Sequence, residues 1–266
     1  MSKRIVIVAI TVLAFKTATS QPGLPPFPSA RDVLPVARCH VDLKDSSYSY
    51  TYDISNKVGA KQPIDDFFIP IGNTAISGAS AEPFWDGSHM MVKSIRSFDW
   101  GANVPSATIR PGQGSKRFTL KCRALPGIVF AHASGVIPPD TAEDETEFDT
   151  TGADELSNSV SVATIGPVGT HLALNQVNFL DTMSSFVNQS RSLTWISTEE
   201  TAKKYLGYLS TARAQLLSGK KSEANEILKT ILSNADVDSS SVITSEAYAL
   251  IRWNTEYLAD KLKGMK

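Results

Sequence analysis

Hydrophobic and polar positions alternate with a period of two from about Val33 to Ile165, and from about Leu174 onward the period lengthens to three or four. The clearest alternation is Tyr48, Tyr50, Tyr52 and Ile54 against Ser49, Thr51 and Asp53, a strand with one aromatic face. Phe67, Ile69 and Ile71 alternate again, with Pro70 marking an edge position or a strand end. Ile109 leads into a Pro111-Gly112 turn, and Phe118, Leu120 and Cys122 form a third run, closed by Pro126-Gly127. Val129 to Ala131 predicts a short further strand. Val160, Val162 and Ile165, ending at Gly166-Pro167, predict the last.

The later period places Val177, Leu180, Met183 and Val187 on one side of a first helix. A second opens at Ser197 with Glu200 three residues on, a capping box, and runs through Tyr205, Leu209 and Leu216 to Gly219. A third buries Ala224, Ile227, Leu228, Ile231 and Leu232. A fourth begins near Thr244 and buries Ala247, Leu250, Ile251, Tyr257 and Leu258. Short connections favour antiparallel neighbours.

The fold class expected is therefore α+β in two domains. An antiparallel β-sandwich of immunoglobulin or fibronectin type over 33–168 precedes an antiparallel bundle of about four helices over 170–264. Within the sandwich, 138–158 is a long acidic loop.

The N-terminus changes the picture of where the chain works. Lys3 and Arg4 precede the apolar stretch Ile5 to Phe15, and Thr17-Ala18-Thr19-Ser20 is a small-residue exit. This is the pattern of a secretory signal peptide over 1–20, with cleavage after Ser20. Its apolar core of about 11 residues is too short for a bilayer, which takes about 20. A Pro-rich leader follows over 21–32, and no later segment of the mature chain is long and apolar enough to span a membrane. Secretion, or retention in a periplasm, is the expected address.

Net charge of −1 gives no electrostatic case for nucleic acid. The charge is uneven, however: no Lys or Arg stands between Arg123 and Arg191, while Asp140, Glu143, Asp144, Glu145, Glu147, Asp149, Asp154 and Glu155 crowd together. That run reads as a solvated linker or, because hard oxygen ligands are dense, as a calcium loop lacking EF-hand spacing. In an oxidising compartment Cys39 and Cys122 are candidates for a disulfide; two separate buried thiols are the alternative.

Catalytic and metal patterns are sparse. His40, His89, His132 and His171 show no metal-ligand spacing. Gly78-Ala79-Ser80-Ala81-Glu82 lacks the final Gly of a nucleophile elbow, and Gly112 to Lys116 lacks P-loop spacing. No cofactor, catalytic residue or metal ligand is assigned. Phe84-Trp85 and Trp100, in a long inter-strand region from Asn73 to Ser106, are the aromatic residues proposed for recognition, with core packing as the alternative.

Phe179-Leu180, Trp195-Ile196, Tyr205-Leu206-Gly207-Tyr208-Leu209, Gly219-Lys220, Ala224-Asn225-Glu226-Ile227-Leu228 and Ile243-Thr244-Ser245-Glu246-Ala247-Tyr248 occur in that order. In pattern and order they resemble the FIMAH-type helical module of secreted bacterial proteins. Leu232-Ser233-Asn234-Ala235 departs from the usual run. The front half resembles uncharacterised exported bacterial proteins through Gln62-Pro63-Ile64 and Ile109-Arg110-Pro111-Gly112. These resemblances imply export and a non-enzymatic accessory role. The function expected is a secreted, non-catalytic binding or surface-interaction protein, its partner a polysaccharide or cell-surface protein. An extracellular hydrolase and a structural envelope component are the other classes.

Overall fold

The computed structural model describes residues 28–136, 156–169 and 175–264. The signal-peptide pattern, most of the Pro-rich leader, the acidic cluster from Asp140 to Glu155 and His171 lie outside those residues.

Among the described residues nine strands form two antiparallel sheets. In chain order they are β1 (Pro35–Lys44), β2 (Ser47–Asn56), β3 (Asp66–Pro70), β4 (Ile76–Ser80), β5 (Trp85–Val92), β6 (Ile95–Ala102), β7 (Lys116–Cys122), β8 (Leu125–Ser134) and β9 (Val160–Val168). One sheet has the order β1-β2-β7-β4, the other β5-β6-β3-β8-β9. The chain passes from sheet to sheet five times, so the two halves of the sandwich cannot separate along the sequence. Four helices follow among the described residues: α1 (Gln176–Ser192), α2 (Glu199–Leu217), α3 (Lys221–Asp238) and α4 (Ser245–Lys263). The expected sandwich followed by a helical bundle is what the chain builds.

Period-two alternation explains β2: Tyr48, Tyr50, Tyr52 and Ile54 turn inward and are buried. They meet Phe67, Trp100 and Phe118 between the sheets. The Trp100 ring lies 4.9 to 6.0 Å from those of Phe98, Phe118, Phe67 and Tyr52, offset or tilted as ring quadrupoles prefer.

Three local expectations are corrected. The inter-strand region from Asn73 to Ser106 contains β4, β5 and β6. Pro126-Gly127 is no turn but the start of β8, paired with Pro167 and Gly166 of β9. Gly127 is needed for that close approach, since a Cβ there would fall 2.5 Å from Val168 Cγ1. At α2 the cap is Thr198 rather than Ser197, its hydroxyl accepting from the Thr201 N–H at 3.1 Å.

In the bundle each helix packs on its sequence neighbour and α1 closes on α4. Leu180, Met183, Tyr205, Leu209, Leu228, Ile231, Ile251 and Leu258 fill the centre. The Tyr205 hydroxyl and Lys204 ammonium both donate to buried Asp238, at 2.6 and 2.5 Å, pinning α2 to the end of α3.

The bundle meets the sandwich through α4, which lies against β1, β8 and β9. β1 is a sheet edge, and such an edge carries unpaired backbone groups. Helix α4 satisfies two of them with side chains and one carbonyl of β8 besides. Glu246 Oε1 accepts from the Cys39 N–H at 2.9 Å, Trp253 Nε1 donates to Val41 O at 2.8 Å, and Asn254 Nδ2 donates to Pro126 O of β8 at 3.0 Å. Ala249 and Leu250 join the sandwich core itself. The Glu246 carboxylate is buried in the first turn of α4, where the helix dipole favours negative charge, and it also accepts from Ser245 Oγ.

Burial pushes several inner groups toward their neutral forms. Burial raises the Cys122 thiol from 9.0 to about 11 and, helped by Glu256, Tyr48 from 10.0 to about 12. Burial also pushes Cys39, Tyr50 and Tyr52 well upward, with the Glu246 carboxylate adding to the effect at Cys39. A folded-state pKa above the unfolded one means that the native chain holds protons the unfolded chain releases. This stabilisation is complete below pH about 9 and is lost as pH rises toward 11 to 12. The urea midpoint is therefore expected to fall between neutral pH and pH about 11; an unchanged midpoint across that window contradicts the burial assigned to these groups.

Candidate functional site

The residues put forward from sequence do not form a surface. Trp85, on β5, is 4% exposed and donates from Nε1 to Ala107 O at 3.0 Å. Trp100, on β6, is wholly buried among Phe67, Phe98 and Phe118. Neither offers an indole face to a ligand, so recognition by Trp85 and Trp100 is replaced by core packing. Gly87 makes room for this: a Cβ there would lie 2.9 Å from Phe98 Cε1 and 3.2 Å from Trp100 Cδ1. Of the pair Phe84-Trp85, only Phe84 stays exposed, in a left-handed conformation at φ 66°.

Cys39 and Cys122 are buried free thiols. The topology explains why the candidate disulfide is not made. Cys39 on β1 stands opposite Tyr52, and Cys122 on β7 stands opposite Tyr48, with β2 between them. Two strand spacings are about 9.6 Å, and four residues along β2 add about 13 Å of offset. A disulfide needs Cα atoms within about 7 Å.

The described histidines also stay apart. His40 on β1 pairs with Asp42 at 3.0 Å in solvent, His89 on β5 meets the Phe98 ring edge, and His132 on β8 stacks on Phe68. His132 Nδ1 lies 3.1 Å from Ser159 Oγ, and burial lowers its pKa. Among the described residues no three His, Cys, Asp or Glu side chains gather as metal ligands.

What the fold does build is a groove at one end of the sandwich. Two inter-sheet crossovers converge there: the segment between β3 and β4, and the Arg123-Ala124 step between β7 and β8. The end of β9 completes the wall at Gly169. The groove is an open hollow of about 560 Å³, within the size range of small-molecule sites, and is lined by Asn73, Thr74, Ile76, Ser77, Arg123 and Gly169, among others. A second hollow of about 420 Å³ adjoins it, sharing Ser77 and lined by Asp42, Lys44, Lys121 and the serines of β2.

The floor is rigid. Ala124 is buried and its carbonyl accepts from the Tyr50 hydroxyl at 2.7 Å, which fixes the backbone beside Arg123. Ser77 Oγ donates to Lys121 O at 3.1 Å, tying the irregular strand β4 to β7. The loop before β4 is held by the Thr74 N–H on Ile71 O at 3.0 Å. The Thr74 side chain is buried, yet its Oγ1 has no hydrogen-bond partner among the described residues. Arg123 is exposed and forms no ion pair with any described carboxylate.

No family model matches this chain and no curated protein matches it. Among solved structures it is similar to an uncharacterised protein from Nocardia farcinica with an immunoglobulin-like fold, at 16% identity and a TM-score of 0.29, over 50% of this chain and 99% of that one. It is also similar to Astrotactin-2, a conserved vertebrate-specific and perforin-like membrane protein involved in neuronal development. That match has 8% identity and a TM-score of 0.22, over 94% of this chain and 39% of that chain. No described helix is long and apolar enough to cross a membrane.

Proposed function

We propose that this is an exported, non-catalytic binding protein that takes a polar ligand at the crossover end of its sandwich. The observation that carries this reading is the groove lined by Thr74 and Arg123, which brings together a residue whose buried hydroxyl has no partner among the described residues and an exposed guanidinium with no ion pair among them. Natural folds satisfy nearly all buried polar atoms, so an orphan beside a cavity of this size fits a site completed by a ligand. Sandwich ends are also where loops held by a rigid scaffold carry recognition.

Export rests on the leader pattern of Lys3, Arg4 and the apolar stretch to Phe15. The bundle, with its FIMAH-like order of motifs, serves as an accessory module and braces the β1 edge through α4. Polysaccharides and cell-surface proteins are the partner classes.

A glycan and peptide array screened with the chain from Gln21 onward tests this reading. Ser77 is exposed and lines both hollows, so Ser77→Trp fills the groove without disturbing the core. A hit on wild type that disappears with Ser77→Trp is expected. A hit that survives the variant places recognition elsewhere, and release of a cleaved product from the array makes the protein an enzyme.

A further inference from the structure

We infer that the groove recognises an oxyanion — a carboxylate, sulfate or phosphate group — carried on a small polar molecule. This rests on the reading of the groove as the binding surface and adds the ligand's chemistry.

The lining decides the sign of the charge. Among the described residues, Arg123 is the only charged one that lines the groove, and no described carboxylate lines it. In the adjoining hollow Lys121 and Lys44 stand with Asp42 and Asp45, and Asp42 accepts from His40 Nε2. A cation entering the groove would meet the guanidinium and no counter-charge among the described lining residues. A neutral sugar would lack the flat aromatic face on which sugar rings stack, because no aromatic side chain among the described residues lines the hollow.

An oxyanion meets complementary groups. The guanidinium presents paired N–H donors in a planar fork that matches two oxygens of one carboxylate, sulfate or phosphate. Asn73, exposed in the same lining, adds an amide N–H donor beside Arg123. Because Ala124 is clamped by Tyr50, the fork starts from a fixed backbone, which lowers the ordering cost of binding. The hollow is several times larger than one oxyanion, so the charged group is one end of a larger molecule, such as an acidic or esterified sugar.

The test is a titration of the isotope-labelled chain from Gln21 with D-glucuronate, glucose 6-sulfate, inorganic phosphate and neutral D-glucose, followed by amide chemical shifts. Shifts at Thr74, Arg123 and Gly169 are expected with the anions and not with glucose. Comparing glucuronate, the sulfate ester and free phosphate separates a carboxylate from an ester or a free ion. Arg123→Gln, at an exposed position, is expected to weaken the anion about tenfold or more, as loss of a charge-assisted pair does. Arg123→Lys should recover part of that loss, and added salt should weaken binding to the wild type. Absence of shifts at these residues with every anion, equal shifts with glucose, or unchanged affinity in Arg123→Gln overturns the assignment. If Ser77→Trp still abolishes an array hit in that event, the binding reading stands and only the ligand class falls.

Discussion

Leu250→Ala lowers the stability of the sandwich and the bundle together, by about 2–5 kcal/mol, and both lose structure in one transition. Leu250 sits on α4 and is 1% exposed, packed into the sandwich core while also bordering a small gap among the bundle residues Met183, Tyr205 and Leu209. On the same helix Ile251 and Leu258 belong to the bundle core. One helix thus serves two cores, and loosening it costs both. The polar contacts reinforce the coupling. If α4 moves away, the Cys39 N–H loses Glu246, Val41 O loses Trp253, and Pro126 O loses Asn254. Each orphaned buried group costs about 1–3 kcal/mol, and the β1 edge is left open to pair with other chains. The check is thermal or urea unfolding followed by near-ultraviolet aromatic signals, which report the Trp100 cluster, and by far-ultraviolet helicity, which reports the bundle. Coincident curves in wild type and in Leu250→Ala are expected. Helicity lost in the variant while the aromatic signal persists would show that the helices unfold on their own and that α4 does not couple the two cores.

How much of this was legible in the sequence varies with how locally each feature is encoded. Strand β2 was plain, because Tyr48 to Ile54 alternates without interruption and one whole face is buried. The four helices were plain for the matching reason at a period of three to four. Strands β5 and β6 were hidden. In β5, Asp86 to His89 are consecutively exposed on an edge strand, so alternation never appears. Its turn to β6 is made by Lys93 and Ser94 at φ 46° and 65°, residues that carry no Gly or Asn signal for the left-handed conformation. Likewise β8 was cut short at Pro126-Gly127, a pair that normally marks a turn but here lets two strands approach closely.

The groove had no local signature at all. Thr74 and Arg123 come together only because two sheet-to-sheet crossovers end at the same place, and crossover positions depend on strand pairing across the whole sandwich. The same is true of the Cys39–Glu246 contact, made between the first strand and the last helix. Solitary tryptophans misled for a related reason. With β5 and β6 unseen, Trp85 and Trp100 stood in what looked like a loop, and aromatic residues in loops point to recognition. Once both strands are in register, Gly87 opposite Trp100 turns the indole into the space between the sheets.

Trp100→Ala is therefore a folding mutation, and Arg123→Gln is not. Trp100 is wholly buried, and its ring is shared by Tyr52, Phe67, Phe98 and Phe118 from both sheets. Truncation to Ala leaves a cavity that the surrounding rings cannot close, because four strands hold their backbones. A loss of about 3–5 kcal/mol is expected, enough to lower the melting temperature by several degrees or more in a chain of this size. Trp100→Phe should cost much less. Trp100 Nε1 has no acceptor among the described residues, so Phe removes an unsatisfied donor while keeping most of the ring. Trp85→Phe behaves differently, because Trp85 Nε1 donates to Ala107 O and the variant orphans that carbonyl. Unfolding midpoints should rank Trp100→Phe above Trp100→Ala by several kcal/mol, with any ligand affinity of the folded Trp100→Phe protein unchanged. Equal destabilisation by Ala and Phe, or loss of affinity in a fully folded Trp100→Phe chain, would return this tryptophan to the surface.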